Sequence, residues 1–294
     1  MEIFGVSLPA MLSQLLLGLV NGSFYAILSL GLAVIFGPLN VINFAHGALF
    51  MMGALVTWMA MSYLGVNYWV MLIGAPLVVG VFGVVLERLF LRWIYKLDHL
   101  YGLLLTLGLT LLIEGVFRSI YGVSGLGYDV PDLLTGGTNL GFMFLPNYRA
   151  WVVVASIIVC IATWYVIERT KLGAYLRAGT ENPRLVEAFG VNVPVMVTLT
   201  YAFGAALAAF AGVLAAPIYQ VTPLMGQNLI IVVFAVVVIG GMGSIMGSIL
   251  TGLGLGVIEG LTKVFYPEAS STVVFVIMAI VLLIRPAGLF GKEK

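Results

Sequence analysis

"LIIVVFAVVVIGGMGSIMGSILTGLGLGVIEGLT" fills residues 229–262, and its reading as one helix or two decides how many times the chain crosses a membrane. As a single very long helix it leaves Lys263 beside the basic loops and sends the tail, with Arg285, Lys292 and Lys294, to the opposite side. A turn within residues 240–248, where Gly240, Gly241, Gly243 and Gly247 stand, removes that conflict. Two helical segments are therefore expected here.

The composition of the rest makes lipid the relevant solvent. Hydrophobic residues are 62% of the chain and charged residues 9%, with a mean hydropathy of +1.16, whereas soluble domains carry about 25% charge. Apolar stretches long enough to cross a bilayer recur at roughly 10–36, 48–64, 69–87, 100–118, 151–167, 194–216, 229–246, 248–262 and 273–286. The first is too long for a cleaved leader and is expected to remain as a span. The expected fold is an all-α polytopic membrane protein of eight or nine hydrophobic segments, broken or re-entrant helices among them.

The thirteen cations give the orientation. Arg88, Arg92, Lys96, Arg169, Lys171, Arg177, Arg184, Arg285, Lys292 and Lys294 fall on one side, and Arg118, Arg149 and Lys263 on the other. Cytoplasmic loops carry the excess of Lys and Arg, so the N-terminus is expected outside and the C-terminus inside. A loop over 121–150, Gly-rich and poor in helix formers, is then extracytoplasmic, and suits a hairpin, an irregular lid or a passive connector. A net charge of +1 argues against a nucleic-acid partner, which needs clustered excess cations. Cys160, the single cysteine, reads as a small packed residue.

Small and polar residues interrupt three apolar regions: 20–37 (VNGSFYAILSLGLAVIFG), 40–54 (NVINFAHGALFMMGA) and 240–256. Breaks at membrane depth survive where they face protein or a watery cavity, and helix N-termini there offer N–H groups and a positive dipole end to a carboxylate. Asn40, Asn43, His46 and Gly47 are thus candidates for a translocation path, set against a turn or hydrogen-bonding role. The glycines of 240–256 equally suit close helix packing. No metal site is expected, because His46 and His99 stand apart with no cysteine near. Glu114 with Arg118, and Glu259 with Lys263, have the i, i+4 spacing of an ion pair. Ser124 in "GVSG" (122–125) matches a protease nucleophile pattern by letter only, since it sits in a polar loop. No catalytic residue and no enzyme activity are expected.

Residues 168–187, "ERTKLGAYLRAGTENPRLVE", hold seven charges in twenty positions. Asn182 suits an N-cap, Pro183 the first helical position and Gly190 a left-handed terminator. The helix so defined carries Arg184 and Glu187 beside Leu185, Val186 and Phe189, a mixture suited to a groove on a partner.

"NVINFAHGALFMMGA" (40–54), "RAGTENPRLVEAFGVNV" (177–193), "AGVLAAP" (211–217), "VVVIGGMGSIMGSILTG" (236–252) and "LLIRPAGLFG" (282–291) together resemble the permease subunits of ABC importers for branched-chain amino acids. The resemblance covers nearly the whole chain. It implies a single transmembrane permease domain over 1–294 in the cell (inner) membrane, partnered by a second, related permease chain, two cytoplasmic ABC ATPase subunits and an extracytoplasmic substrate-binding protein. It also implies a cytoplasmic coupling loop over 168–192, in which Arg177, Glu181, Asn182, Pro183, Arg184, Glu187, Phe189 and Gly190 engage the ATPase. No cofactor is expected on this chain. It has no G-x-x-x-x-G-K-[ST] phosphate loop, so ATP is expected to be used by the partner subunits. The alternative class is a stand-alone ion-coupled transporter or channel, which needs a site at Glu114 or Glu259.

Overall fold

A computed structural model describes residues 2, 3, 6–39, 41–95 and 97–291. Among them the helices are α1 (Leu8–Leu39), α2 (Ala45–Leu64), α3 (Tyr68–Leu89), α4 (His99–Tyr121), α5 (Asn147–Arg169), α6 (Lys171–Glu181), α7 (Pro183–Ala188), α8 (Val193–Tyr219), α9 (Met225–Gly240), α10 (Ile245–Phe265) and α11 (Val273–Ile284). Two short antiparallel pairs accompany them, β1 (Glu2–Ile3) with β2 (Val6–Ser7) and β3 (Gly137–Asn139) with β4 (Phe144–Pro146).

Each of the nine expected segments is a helix, and α9 and α10 are separated by the glycine turn. Seven of the described helices are long and apolar enough to span a membrane. The 16 residues of α9 and 12 of α11 reach only ~24 Å and ~18 Å against a hydrocarbon core of ~30 Å. One expectation fails: α1 runs unbroken for 32 residues through 20–37. Nothing there removes a backbone donor before Pro38, and the small residues serve packing instead.

The chain divides into two compact units. One comprises Met1–Ser29, Val130–Ile161 and Val232–Lys294. In it α1 and α10 meet backbone to backbone: a methyl group at Gly22 would lie 2.9 Å from the Leu253 carbonyl oxygen, and one at Gly252 would lie 2.6 Å from the Ala26 nitrogen. Gly252, Gly256 and Gly260 recur every four residues on that face, the small-xxx-small device by which helices pack in lipid. Gly241 and Gly243 turn the chain at φ 98° and 81°. Ser244 then caps α10, its hydroxyl accepting from Gly247 N at 3.1 Å. The amides of Leu289 and Phe290 donate to the Ile239 and Gly240 carbonyls, satisfying the end of α9. Within the 121–150 loop, residues 137–146 form the β3–β4 hairpin, one of the forms that its composition left open.

The other unit comprises Leu30–Asp129 and Ala162–Ile231. Here α8 packs between α2 and α3. A methyl group at Gly83 would meet Ala205 Cβ at 2.9 Å, and Gly53 and Gly212 abut the backbones of Ala209 and Phe50. At one end of α8 the Leu126 amide donates to the Val221 carbonyl at 2.9 Å, and the Tyr128 hydroxyl donates to the Val213 carbonyl at 2.7 Å. Burial, then the neighbouring Tyr68, pushes that hydroxyl well above the ordinary tyrosine value, so it remains a donor.

Candidate functional site

The break before α2 is built by side chains on other helices. Asn43, buried, accepts from Ala45 N through Oδ1 at 3.1 Å and donates from Nδ2 to the Tyr201 hydroxyl of α8 at 3.2 Å. Phe44 N donates to Thr106 Oγ1 of α4 at 3.2 Å. His46 N and Gly47 N donate to the Asn43 and Phe44 carbonyls. All four amides from 44 to 47 therefore have partners within the chain, and the expected open N–H groups are not found at this break. Asn40 lies outside the described residues.

His46 is fully buried and its ring presses on α1: a methyl group at Gly31 would come within 3.0 Å of Cε1. Gly47 rests on the first turn of α9, where a methyl group would sit 2.9 Å from the Gly226 carbonyl oxygen. The structure thus brings Asn43, His46 and Gly47 into one junction of α1, α2, α8 and α9.

Glu114 does not pair with Arg118; among the described residues it forms no ion pair. It is 6% exposed and accepts from Gln227 Nε2 of α9 at 2.5 Å. A carboxylate turned inward from an apolar helix is drawn to the nearest buried donor, and the expected surface partner loses. Glu259 does pair with Lys263, at 2.6 Å, and also accepts from the Tyr25 hydroxyl at 2.7 Å.

Glu87, which the sequence reading did not single out, is 1% exposed. Thr198 of α8 donates to its Oε2 at 2.7 Å and Tyr95 to its Oε1 at 3.1 Å. Burial first, then the charge of Glu87, pushes the Tyr95 hydroxyl far above the ordinary tyrosine value, keeping it a donor.

The charged stretch is two helices. Arg177, on α6, donates to the Ile167 carbonyl at 2.9 Å and pairs with Glu168 at 3.3 Å, fastening α6 to the end of α5. Asn182 caps α7 by accepting from Leu185 N at 3.1 Å, Pro183 takes its first position, and Gly190 follows at φ 85°. Val186 is buried, while Leu185 and Phe189 are 55% and 79% exposed, and Glu181, Arg184 and Glu187 are exposed. Arg177, Asn182, Pro183 and Gly190 hold the frame, and Arg184, Leu185, Glu187 and Phe189 form its open face.

Residues 14–283 match the family described as "Branched-chain amino acid transport system / permease component". The chain is 29% identical over 298 residues to the high-affinity branched-chain amino acid transport system permease protein LivH of Salmonella typhimurium, with 96% of each chain covered. BraD of Pseudomonas aeruginosa, a permease protein of the same description, is 30% identical with the same coverage. A probable LivH of Methanocaldococcus jannaschii is 26% identical over 94% of this chain and 91% of its own. With its multi-pass apolar helices and a match over most of its length, this chain belongs to the branched-chain amino acid transport permease family.

Proposed function

We propose that the chain is the membrane-spanning subunit of an ATP-driven importer carrying branched-chain amino acids, or a related small polar solute such as urea or an amide, into the cytoplasm. The observation that carries the reading is a capped six-residue helix with an apolar and charged open face, within a chain of this permease family. In this reading α6 and α7 face the cytoplasm and α7 seats in a cleft of an ATPase subunit. A second permease chain, two ATPase subunits and an extracytoplasmic binding protein complete the assembly.

Mechanically, closure of the ATPase pair pushes α7, and α8 follows within four residues of its end. Because Thr198 is bonded to Glu87 and Tyr201 to Asn43, a displacement of α8 is handed on to α3 and to the start of α2. A pathway with two discrete arrangements, biased by ATP on one side and the loaded binding protein on the other, needs that kind of linked element. Asn43, His46 and Gly47 are the residues we assign to its lining. This chain supplies no covalent chemistry.

Combining Arg184→Glu with Glu187→Arg tests this directly. Uptake and co-purification of the ATPase subunits are expected to be lost while the protein still inserts and folds. Undiminished uptake would defeat the coupling role.

A further inference from the structure

A cavity of about 390 Å³ is walled by α2, α3 and α4. Its lining runs from Met51 to Met59 on α2 and from Leu112 to Tyr121 on α4, with Phe82 of α3. Among the described lining residues only Tyr121 carries a hydroxyl, an amide or a charge. A water molecule needs two or more polar partners to stay in such a space, so the cavity suits hydrocarbon.

Its position says which hydrocarbon. Leu112, Val116 and Ile120 line the cavity and are also exposed, so it is continuous with the apolar surface that a multi-pass chain turns to lipid. From Leu112 to Tyr121 the helix rises ~14 Å, close to the ~15 Å of hydrocarbon in one leaflet. One end is aromatic. Tyr121 is the last residue of α4, and its ring lies 5.5 Å from that of Trp58 and 5.4 Å from that of Phe117, while Trp58 lies 5.5 Å from Tyr63. Tyr and Trp gather at the depth of the lipid head groups. The cavity therefore starts beside the head groups and ends near the middle of the bilayer.

A helix of another protein asks for a different surface. Helices approach closely in lipid over small residues, whereas the exposed side of this cavity is Leu, Val, Ile and Met. Gly108 and Gly115 of α4 have open space where a Cβ would go, and at ~100° per residue they fall on the other side of the helix. The methionines of α2, by contrast, adapt to an occupant without a fixed shape.

We propose that the cavity binds one acyl chain of a membrane phospholipid, with the glycerol end beside Tyr121 and the methyl end beside Met51 and Leu112. The chain supplies contacts between α2 and α4 that their own side chains leave unmade. The site does not depend on which solute the protein carries.

The probe is a phosphatidylcholine with a diazirine near the methyl end of one acyl chain, mixed into phosphatidylcholine vesicles that hold the full chain. After illumination, labelled residues are mapped by mass spectrometry. Labelling is expected at Met52 and Ile113, which line the cavity and are half-buried. Ile158, exposed on α5, reports contact with bulk lipid. Leu55→Trp fills the cavity from within, and Val116→Trp adds bulk at its exposed side without disturbing the interior. Both are expected to lose the labelling at Met52 and Ile113 and to keep it at Ile158. Wild-type labelling of Ile158 without Met52 and Ile113 overturns the proposal, because lipid then reaches the surface and not the cavity. Labelling of Met52 and Ile113 that persists in Val116→Trp overturns it too. So does labelling of these residues in the isolated chain that vanishes in the complex purified with its partner subunits, which would make a second protein chain the occupant.

Discussion

Thr198 shows how much one hydroxyl carries in this chain. It donates at 2.7 Å to Glu87, which is 1% exposed, so Thr198→Val leaves a buried carboxylate oxygen without a donor. Stranding a buried acceptor costs about 1–3 kcal/mol, and a lowered melting temperature in detergent is expected to report it. Thr198→Ser keeps the hydroxyl and is expected to stay close to the wild type. Residues of this kind were the least legible in the sequence. Glu87 stands next to Arg88 and reads as one more charge of a basic loop, and its partner is 111 residues away. Asn43 and His46 stood out because polar groups are rare in their stretch. Glu114 stood out too but was matched to Arg118, because local spacing says nothing of a Gln227 that is 113 residues distant. The polar stripe Thr106, Thr110, Glu114 was visible at i, i+4, i+8 and would have turned Glu114 inward.

Helices were legible where their signals are local. The cap, first proline and terminating glycine of α7 are all encoded within nine residues, and each acts as its residue type dictates. The preceding helix, α6, was missed: Thr170 makes no side-chain cap bond, and glycines at 173 and 179 lower its propensity. In α1 the small residues that suggested a break instead allow contact, a distinction no one-dimensional pattern makes, because Gly18 and Gly22 take their meaning from α10. That contact has a built-in control. Gly256 faces the Gly22 backbone, whereas Gly254, on the same helix, has open space where a Cβ would go. Gly256→Val is expected to abolish recovery of folded protein in detergent size-exclusion profiles. Gly254→Ala is expected to be tolerated, with a gain of up to roughly 1 kcal/mol from the better helix former.

For the molecule as a whole, the sequence made the apolar helical segments readable, and the glycine turn at 241–244 separates α9 from α10 as the cation count required. Sidedness is the remaining consequence of that count, and it decides whether α7 is able to meet an ATPase. Leu133, 79% exposed between α4 and α5, and Arg184, exposed on α7, are separated by the 23 residues of α5. At about 1.5 Å per residue those cover ~35 Å, one crossing of a ~30 Å core. The native Cys160 is buried, and replacing it with Ser gives a clean background. In that background a membrane-impermeant maleimide applied to intact cells is expected to label Leu133→Cys and spare Arg184→Cys, and inside-out vesicles are expected to reverse the pattern. Labelling of both from one side would mean that α5 does not cross. Labelling in the opposite sense would put the cation-rich ends outside and α7 beyond the reach of any cytoplasmic ATPase, whatever the family's other members do.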